Sequence, residues 1–408
     1  MPRPLLSGLR VVDMGWVWAG GVTGHILSDW GADVIKIESS KRIDPARQGR
    51  PIIGDTPDPE QNPMFHNVNR GKRSVTIDIT TPQGGALVKR LVAVSDVVIE
   101  NMTPHALAAA GLNYPALREV NERLIMVSQP LAGQTGPFRE LRGYGGTVNS
   151  LVGLEFITGY EDSGEMTGFT HTVGDPNVAV FAATAVLAAL HRRRRTGRGE
   201  YIDLSMWEAL AAHQGFGLLD VQMNGRNGYL RGSDHPLYAP HGIYRCADVD
   251  GVEQWIAIVV ETEQEWDALC EAMGRPPWCA APEFSDRYQR RQHRAALDEH
   301  LNAWTRPWEK LALEQHLQQR GVAGTACRDQ GDRYLDASLR EWGTHVDVAH
   351  PVLGVEPLYG VPVRMERRQP VPMKRAPTLG EHTREVLTEV LGLTAAELDQ
   401  LDADGVLS

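Results

Sequence analysis

The first third of the chain alternates short apolar runs with helical stretches, and this rhythm restricts the fold more than any other feature. Residues 9–14 (LRVVDM), 33–38 (DVIKIE), 74–79 (SVTIDI), 96–100 (DVVIE) and 124–128 (LIMVS) each read as a strand. Unbroken Val/Ile runs belong to strands covered on both faces, as parallel sheets are. Residues 22–30, stopped by Gly31, and residues 83–94, with Thr81 as N-cap and Pro82 opening the first turn, read as helices. The pattern predicts an α/β fold. Open α/β sheets bind ligands at the carboxyl ends of their strands, so the loops starting at Gly15, Asn101 and Gln129 are expected to line one crevice.

Two composition breaks follow. Residues 39–69 are rich in Pro, Gly, Asp and Asn, the mark of a functional loop or of poor order. The cations just beyond, Arg70, Lys72 and Arg73, are either a solvated face or a phosphate landing site. After Met223 the stretch NGRNGYLRGSDHPLYAPHG reads as a connection, residues 243–260 as two strands and a turn, and residues 263–273 and 292–304 as helices. This predicts a smaller α+β domain. From about Asp329 the chain turns Pro-rich again and closes on a helix near 381–391. The expected division is 1–222, 223–328 and 329–408.

Charge and special residues exclude several classes. Lys+Arg 41 against Asp+Glu 52 leaves a net charge of -11, which argues against a nucleic-acid partner. No apolar run approaches the ~20 residues of a membrane span, and the N-terminus lacks the apolar core of a secretion signal. The cysteines (Cys246, Cys270, Cys279 and Cys327) show no C-x-x-C pair, and the 14 histidines show no H-x-x-x-H spacing. A reduced cytoplasmic enzyme with no metal site is therefore expected. Gly15, Gly20, Gly21 and Gly24 fit no dinucleotide fingerprint, because Trp16, Val17 and Trp18 fill the place where a pyrophosphate needs bare backbone. Glu38 is the one feature that would suit a ribose. Trp16 and Trp18 suit the core or an apolar pocket wall.

Residues 173–199 (VGDPNVAVFAATAVLAALHRRRRTGRG) are the most informative segment. Asp175 before Pro176 predicts an N-cap with Pro at the first helical position, and Arg192–Arg195 with Gly197 mark the far end. Asp175 is then a cap alone, or a carboxylate kept ionised by the helix terminus and able to attack an activated acyl group. Gly174 would let a ligand approach the backbone. Residues 129–146 (QPLAGQTGPFRELRGYGG) are a surface loop or a lid, with Arg142 available to an anion and Tyr144 for packing.

Taken together, the segments LSGLRVVDMG, LSDWGADVIKIE, NRGKRSVTIDITTPQGGALVKRLVAVSDVVIENMTP, GLNYPALREVNERLIMVSQPLAGQTGPF, GDPNVAVFAATAVLAALHRRRRTGRGEYIDLSMWEAL, APHGIYRC and LGEHTREVL resemble the class III CoA-transferases, collinearly from about Leu5 to Leu391. The resemblance implies a Rossmann-like large domain with an inserted smaller α+β domain, in an interlocked homodimer or a heteromer with a homologous subunit. It implies that Asp175 is the nucleophile, forming an aspartyl-CoA thioester between an acyl-CoA donor and a free carboxylic acid. No tightly bound cofactor is implied, since coenzyme A is itself substrate. Matching positions for CoA contact are Trp18, Ala19, Asp78, Asn101, Met102, Thr103, Arg142, Gly143, Tyr144 and Gly145. Where the family has an Arg after the second strand, this chain has Ser39, leaving Lys41 or Arg42 for the adenosine phosphate. A missing glycine-run lid argues against formyl-CoA and oxalate, and points to a bulkier acid, with succinyl-CoA as a candidate donor. The α-methylacyl-CoA racemases of the same superfamily are the alternative. They use a His where this chain has Tyr144, and a phenol of pKa near 10 is a poor base at pH 7. A non-catalytic partner subunit is a third reading.

Overall fold

Six strands, β1 (Arg10–Asp13), β2 (Asp33–Glu38), β3 (Arg73–Thr76), β4 (Val97–Glu100), β5 (Ile125–Ser128) and β6 (Glu200–Asp203), pair in parallel in the order β3-β2-β1-β4-β5-β6. This is the structure as a computed structural model. It describes residues 3–49, 52–54, 57–160, 163–168, 172–228, 230–367 and 369–408.

The alternation along each strand explains the two covered faces. Val11, Val34, Val97, Ile99, Ile125 and Val127 point to one side, where Ala182 and Val186 of the helix Gly174–Thr196 cover them. Val12, Ile35, Val75, Val98 and Met126 point to the other, under Leu87, Val88 and Leu91 of the helix Pro82–Ala93 and under the C-terminal Val386 and Leu407. Thr81 accepts the Gly84 amide as the expected cap. The sequence pattern places four of the first five strands to within one residue at each end, runs the third three residues past the end of β3, and does not reveal β6.

The chain divides into two compact units, 1–154 with 169–227 and 337–408, and 155–168 with 228–336. The expected limits, 223 and 328, treat 155–168 as part of the larger unit, whereas its contacts place it with the smaller one. The smaller unit carries β7 (His241–Arg245), β8 (Trp255–Val259) and β9 (Ala323–Ala326), an antiparallel sheet in that order. Its core gathers Tyr244, Ile256, Ile258, Trp266, Leu269, Phe284, Leu297, Leu301, Leu313 and Leu317. The Pro-rich return segment is less irregular than it reads. It contains an antiparallel hairpin, β10 (His345–His350) and β11 (Gly354–Tyr359), before the helices Thr383–Leu391 and Ala395–Ala403.

Ion pairs, two of them buried and one half-buried, correct the reading of the cationic cluster. Arg70 pairs with Asp29 (2.7 Å), Lys72 with Asp13 (2.6 Å), and Arg73 with Asp33 (2.6 Å). These cations are already spent on the fold, so they form neither a solvated face nor a phosphate site. Glu38 is equally committed, to Arg47 (2.9 Å) and the Ser74 hydroxyl (2.6 Å), and has no oxygen to offer a ribose. Arg47 also stacks 3.5 Å over Phe65. In this way the described part of residues 39–69 is pinned rather than loose.

Candidate active site

The strand order reverses between β1 and β4, and at such a switch point two neighbouring loops part to leave a crevice. Here the loops lock side by side. The Trp16 amide donates to Asn101 Oδ1 (2.8 Å), and Asn101 Nδ2 donates to the Trp16 carbonyl (2.9 Å). Gly15 and Gly20 are needed because their backbones touch: a Cβ on Gly15 would meet the Gly20 Cα at 2.6 Å. Between them Val17 holds a φ of 55°, a left-handed conformation that a β-branched residue adopts only under constraint. That constraint is Asp44 Oδ1, which accepts the Val17 amide (3.0 Å) and the Ala46 amide (2.9 Å). Burial opposes the charge on Asp44, but Lys36 at 3.0 Å and these amides hold its carboxyl below the usual range.

The loop delivers Trp18 to the start of the helix Ala19–Asp29, and the N-terminus of the helix Gly174–Thr196 meets it there. Asp175 is not the N-cap that its sequence position suggests. Val173 occupies that place with helical backbone angles, and Asp175 lies inside the first turn. Its side chain is thus free of capping duty. The residue is 8% exposed, and its Oδ2 is buried without a hydrogen-bond partner among the described residues. Burial pushes the carboxyl above the usual range. The Thr172 hydroxyl (close, but outside hydrogen-bonding geometry) and the amides of Asp175 and Ala19 act against that. Desolvation therefore outweighs the helix termini, contrary to the expectation of a carboxylate held ionised by its helix alone.

Gly145, first residue of the helix Gly145–Leu151, makes room for this carboxylate. A Cβ there would lie 2.0 Å from Asp175 Oδ2 and 2.4 Å from Thr172 Cβ. On the approach to it, Arg142, Gly143 and Tyr144 are exposed, Tyr144 at 71%. Of the other expected contact positions, Asn101 is the locked residue described above, Thr103 is exposed, and the Met102 amide donates to Glu100 Oε2 (2.7 Å). Asp78 lies at the far edge of the sheet beyond β3, bonded to Lys41 Nζ (2.9 Å) and the Thr80 amide (3.0 Å). Lys41 is thereby partly engaged. Arg42 is exposed with its guanidinium 4.8 Å over the Trp16 ring, a cation–aromatic platform on the loop that leads to Trp18. The structure brings Trp18, Ala19, Gly145 and Asp175 together, and does not bring Asp78 to them.

The model of the family described as CoA-transferase family III matches residues 6–383. The chain belongs to this family. It is an enzyme of the CoA-transferase class, acting on CoA thioesters. It is 33% identical to the succinyl-CoA–D-citramalate CoA-transferase of Chloroflexus aurantiacus, over 100% of this chain and 98% of that one. It is 30% identical to the succinate–glutarate CoA-transferase of Agrobacterium fabrum, covering 95% and 96%. Among solved structures, a CaiB/BaiF family protein from Brucella suis superposes with a TM-score of 0.86 at 29% identity, covering 95% of this chain and all of that one.

At the same strand ends of this class III CoA-transferase stands a second group that the sequence pattern did not single out. Glu100, closing β4, is 2% exposed and pushed up to about 7 by burial. Its Oε1 accepts Gln134 Nε2 (3.0 Å), while Asp203 Oδ1 accepts the Gln134 amide (2.8 Å). Two acidic side chains, at the ends of β4 and β6 on either side of β5, therefore anchor the glycine-rich loop that leads to Arg142 and Gly145. A lone strand-ending Glu carries no signal of this in the sequence; only the folded register of β4 beside β5 and β6 supplies it.

Proposed function

We propose that this enzyme moves CoA from an acyl-CoA donor, with succinyl-CoA the first candidate, to a free carboxylic acid through an aspartyl-CoA thioester on Asp175. The observation that carries the reading is the buried, unpartnered Oδ2 of Asp175, seated against Gly145 in the first turn of its helix. A desolvated carboxylate is a stronger nucleophile than a hydrated one, and water is the competitor that must be excluded. An Asp175 oxygen attacks the donor thioester carbonyl, the C–S bond breaks, and a mixed anhydride forms as CoA thiolate leaves. The thiolate then attacks the Asp175 carbonyl, giving the aspartyl thioester and releasing the donor acid as carboxylate. The acceptor carboxylate repeats the two steps in reverse order and leaves as its CoA thioester, with Asp175 restored. Each exchange keeps the thioester energy and needs no proton donor.

The amides at the start of the helices Ala19–Asp29 and Gly174–Thr196, two of which already act on the Asp175 carboxyl, suit the stabilisation of the developing oxyanion. Arg42 over Trp16 suits the adenosine phosphate, and exposed Arg142 suits a second carboxylate of a dicarboxylic acceptor. The names of the relatives, citramalate and glutarate transferases, support a dicarboxylic acceptor. Exposed Val180, Phe181 and Leu187 on one helix, with Phe216 and Met223 on the helix Gly215–Asn224, support assembly with a second copy or a homologous subunit, interlocked as in the family. Four free cysteines suit a reducing cytoplasm. The test is hydroxylamine trapping. Protein turning over acyl-CoA should acquire a hydroxamate at Asp175, and Asp175→Asn should lose both the adduct and CoA transfer. An Asp175→Asn enzyme with full transfer activity would refute the reading.

A further inference from the structure

The hairpin β10–β11 is unusual in what it buries. A two-stranded hairpin has no core of its own and must be fastened to something. Of its twelve strand residues only three are buried, and two of those are polar: His350 (3% exposed) and Glu356 (5%), with Leu358 as the single apolar anchor. The strand residues Val346, Val355 and Tyr359 are exposed instead. The two polar residues meet His66, 0% exposed, on the helix Pro63–Asn69. His66 Nδ1 and Glu356 Oε2 are 2.8 Å apart, and the rings of His66 and His350 lie 4.2 Å apart, centre to centre. Each of the three residues also presents one buried polar atom with no hydrogen-bond partner among the described residues: His66 Nε2, His350 Nε2 and Glu356 Oε1. Three such atoms in one place are a costly arrangement, since each forgoes its hydration. One candidate ligand atom from each residue can be chosen so that all lie within 4.8 Å of one another.

We propose that His66, His350 and Glu356 form the binding site of one divalent ion of the zinc class, which clamps the hairpin to the Pro63–Asn69 helix. The donor set is two imidazoles and a carboxylate, a combination that zinc and cobalt accept with a water in the fourth position. The Glu356–His66 contact is of the second kind such sites use. Hydrogen bonding Nδ1–H to a carboxylate oxygen fixes the tautomer and leaves the Nε2 lone pair for the metal, while the other carboxylate oxygen is still available. Donor atoms in a tetrahedral zinc site stand about 3.3 Å apart, so binding requires the side chains to rotate until the three donors converge to that spacing. His350 must then carry its ring proton on Nδ1, which gives up the long 3.3 Å hydrogen bond from the Val352 amide. Nearby Arg375 does not oppose the ion with a free charge, because Glu381 pairs with it. The ion would reinforce the single apolar anchor, Leu358, that the hairpin has. It is a positioning site, on a different set of residues from the crevice at Asp175.

The site is tested on the full chain after chelator treatment, by titration with Co2+ followed by electronic absorption and mass spectrometric metal analysis. The expected result is about one Co2+ per chain, with the visible d–d bands of a four-coordinate ion, displaced by Zn2+. Glu356→Gln, which still offers His66 an acceptor, and His350→Gln should each weaken binding more than about tenfold, whereas His191→Gln on an exposed helix position should not. Circular dichroism on each variant separates loss of ligand from loss of fold. A chelator should also lower the melting temperature of the loaded wild type. Failure of the wild type to take up Co2+ or Zn2+, or uptake unchanged by both Glu356→Gln and His350→Gln, would overturn the proposal and assign the three atoms to a bridging water.

Discussion

Gly145→Ala tests how closely the carboxylate position governs the chemistry. The added Cβ would stand 2.0 Å from Asp175 Oδ2 and 2.4 Å from Thr172 Cβ, where ordinary contact begins near 3.4 Å. The carboxylate must retreat by the difference, about 1.4 Å, by turning about its own side-chain bonds, because Thr172 Cβ is bound directly to backbone and gives less. Misplacing a reacting group by about 1 Å costs about a hundredfold in rate, or about 2.7 kcal/mol of barrier. The overpacking itself should cost about 1–3 kcal/mol of stability. Steady-state transfer assays should therefore show kcat reduced by about a hundredfold or more at nearly unchanged KM for the acyl-CoA. The melting temperature should fall by only a few degrees, and hydroxylamine trapping should fall in step with kcat. Gly146→Ala is the internal control. Its Cβ would meet nothing within 4 Å, and the variant should behave as wild type. If Gly145→Ala retained kcat within about threefold of the wild type, the close seat of Asp175 against Gly145 would not be what aligns the nucleophile.

Two further outcomes follow from the buried charges. Glu100 is raised from 4.5 to about 7, so between those values the unfolded chain ionises while the folded one stays protonated. Stability from this group is present below pH 4.5, falls as the pH rises through 7, and amounts to about 3 kcal/mol once lost. Urea titrations at pH 5 and 8.5 should show that Glu100→Gln flattens this decline, and an unchanged pH dependence would contradict the buried protonated carboxyl. Lys72→Met leaves Asp13 buried and without its cation, which should cost about 3–5 kcal/mol in the same assay. A loss under about 1 kcal/mol would show that the pair adds little to the junction of β1 with its neighbours.

Much of the sheet was legible because its strands are buried on both faces and so read as continuous apolar runs. β6 was not, since EYID is only half-covered at the edge of the sheet. The hairpin β10–β11 escaped for the same reason, its exposed strands giving no buried face to repeat along the chain. The cationic cluster was misread because charge in a sequence carries no partner. Asp13, Asp29 and Asp33, which neutralise it, lie 40 or more residues earlier. For Asp175, the segment marked the right helix but the wrong position in it. Val173 already has helical angles, so the helix begins two residues sooner than Asp-Pro suggests.

What the amino-acid order determined alone is the local part: which stretches pair or coil, where Gly197 ends the long helix at a φ of 71°, and which family the collinear motifs belong to. Those properties depend on near neighbours and on side-chain periodicity, which a linear string records in full. Only the tertiary structure decided that Gly145 lies against Asp175, that Glu100 and Asp203 hold one loop, and that His66 meets His350 and Glu356 some 290 residues away. Burial, and with it the cost of an unpaired charge or an unpartnered nitrogen, is set by what the rest of the chain removes from water. That quantity exists only once distant segments have packed.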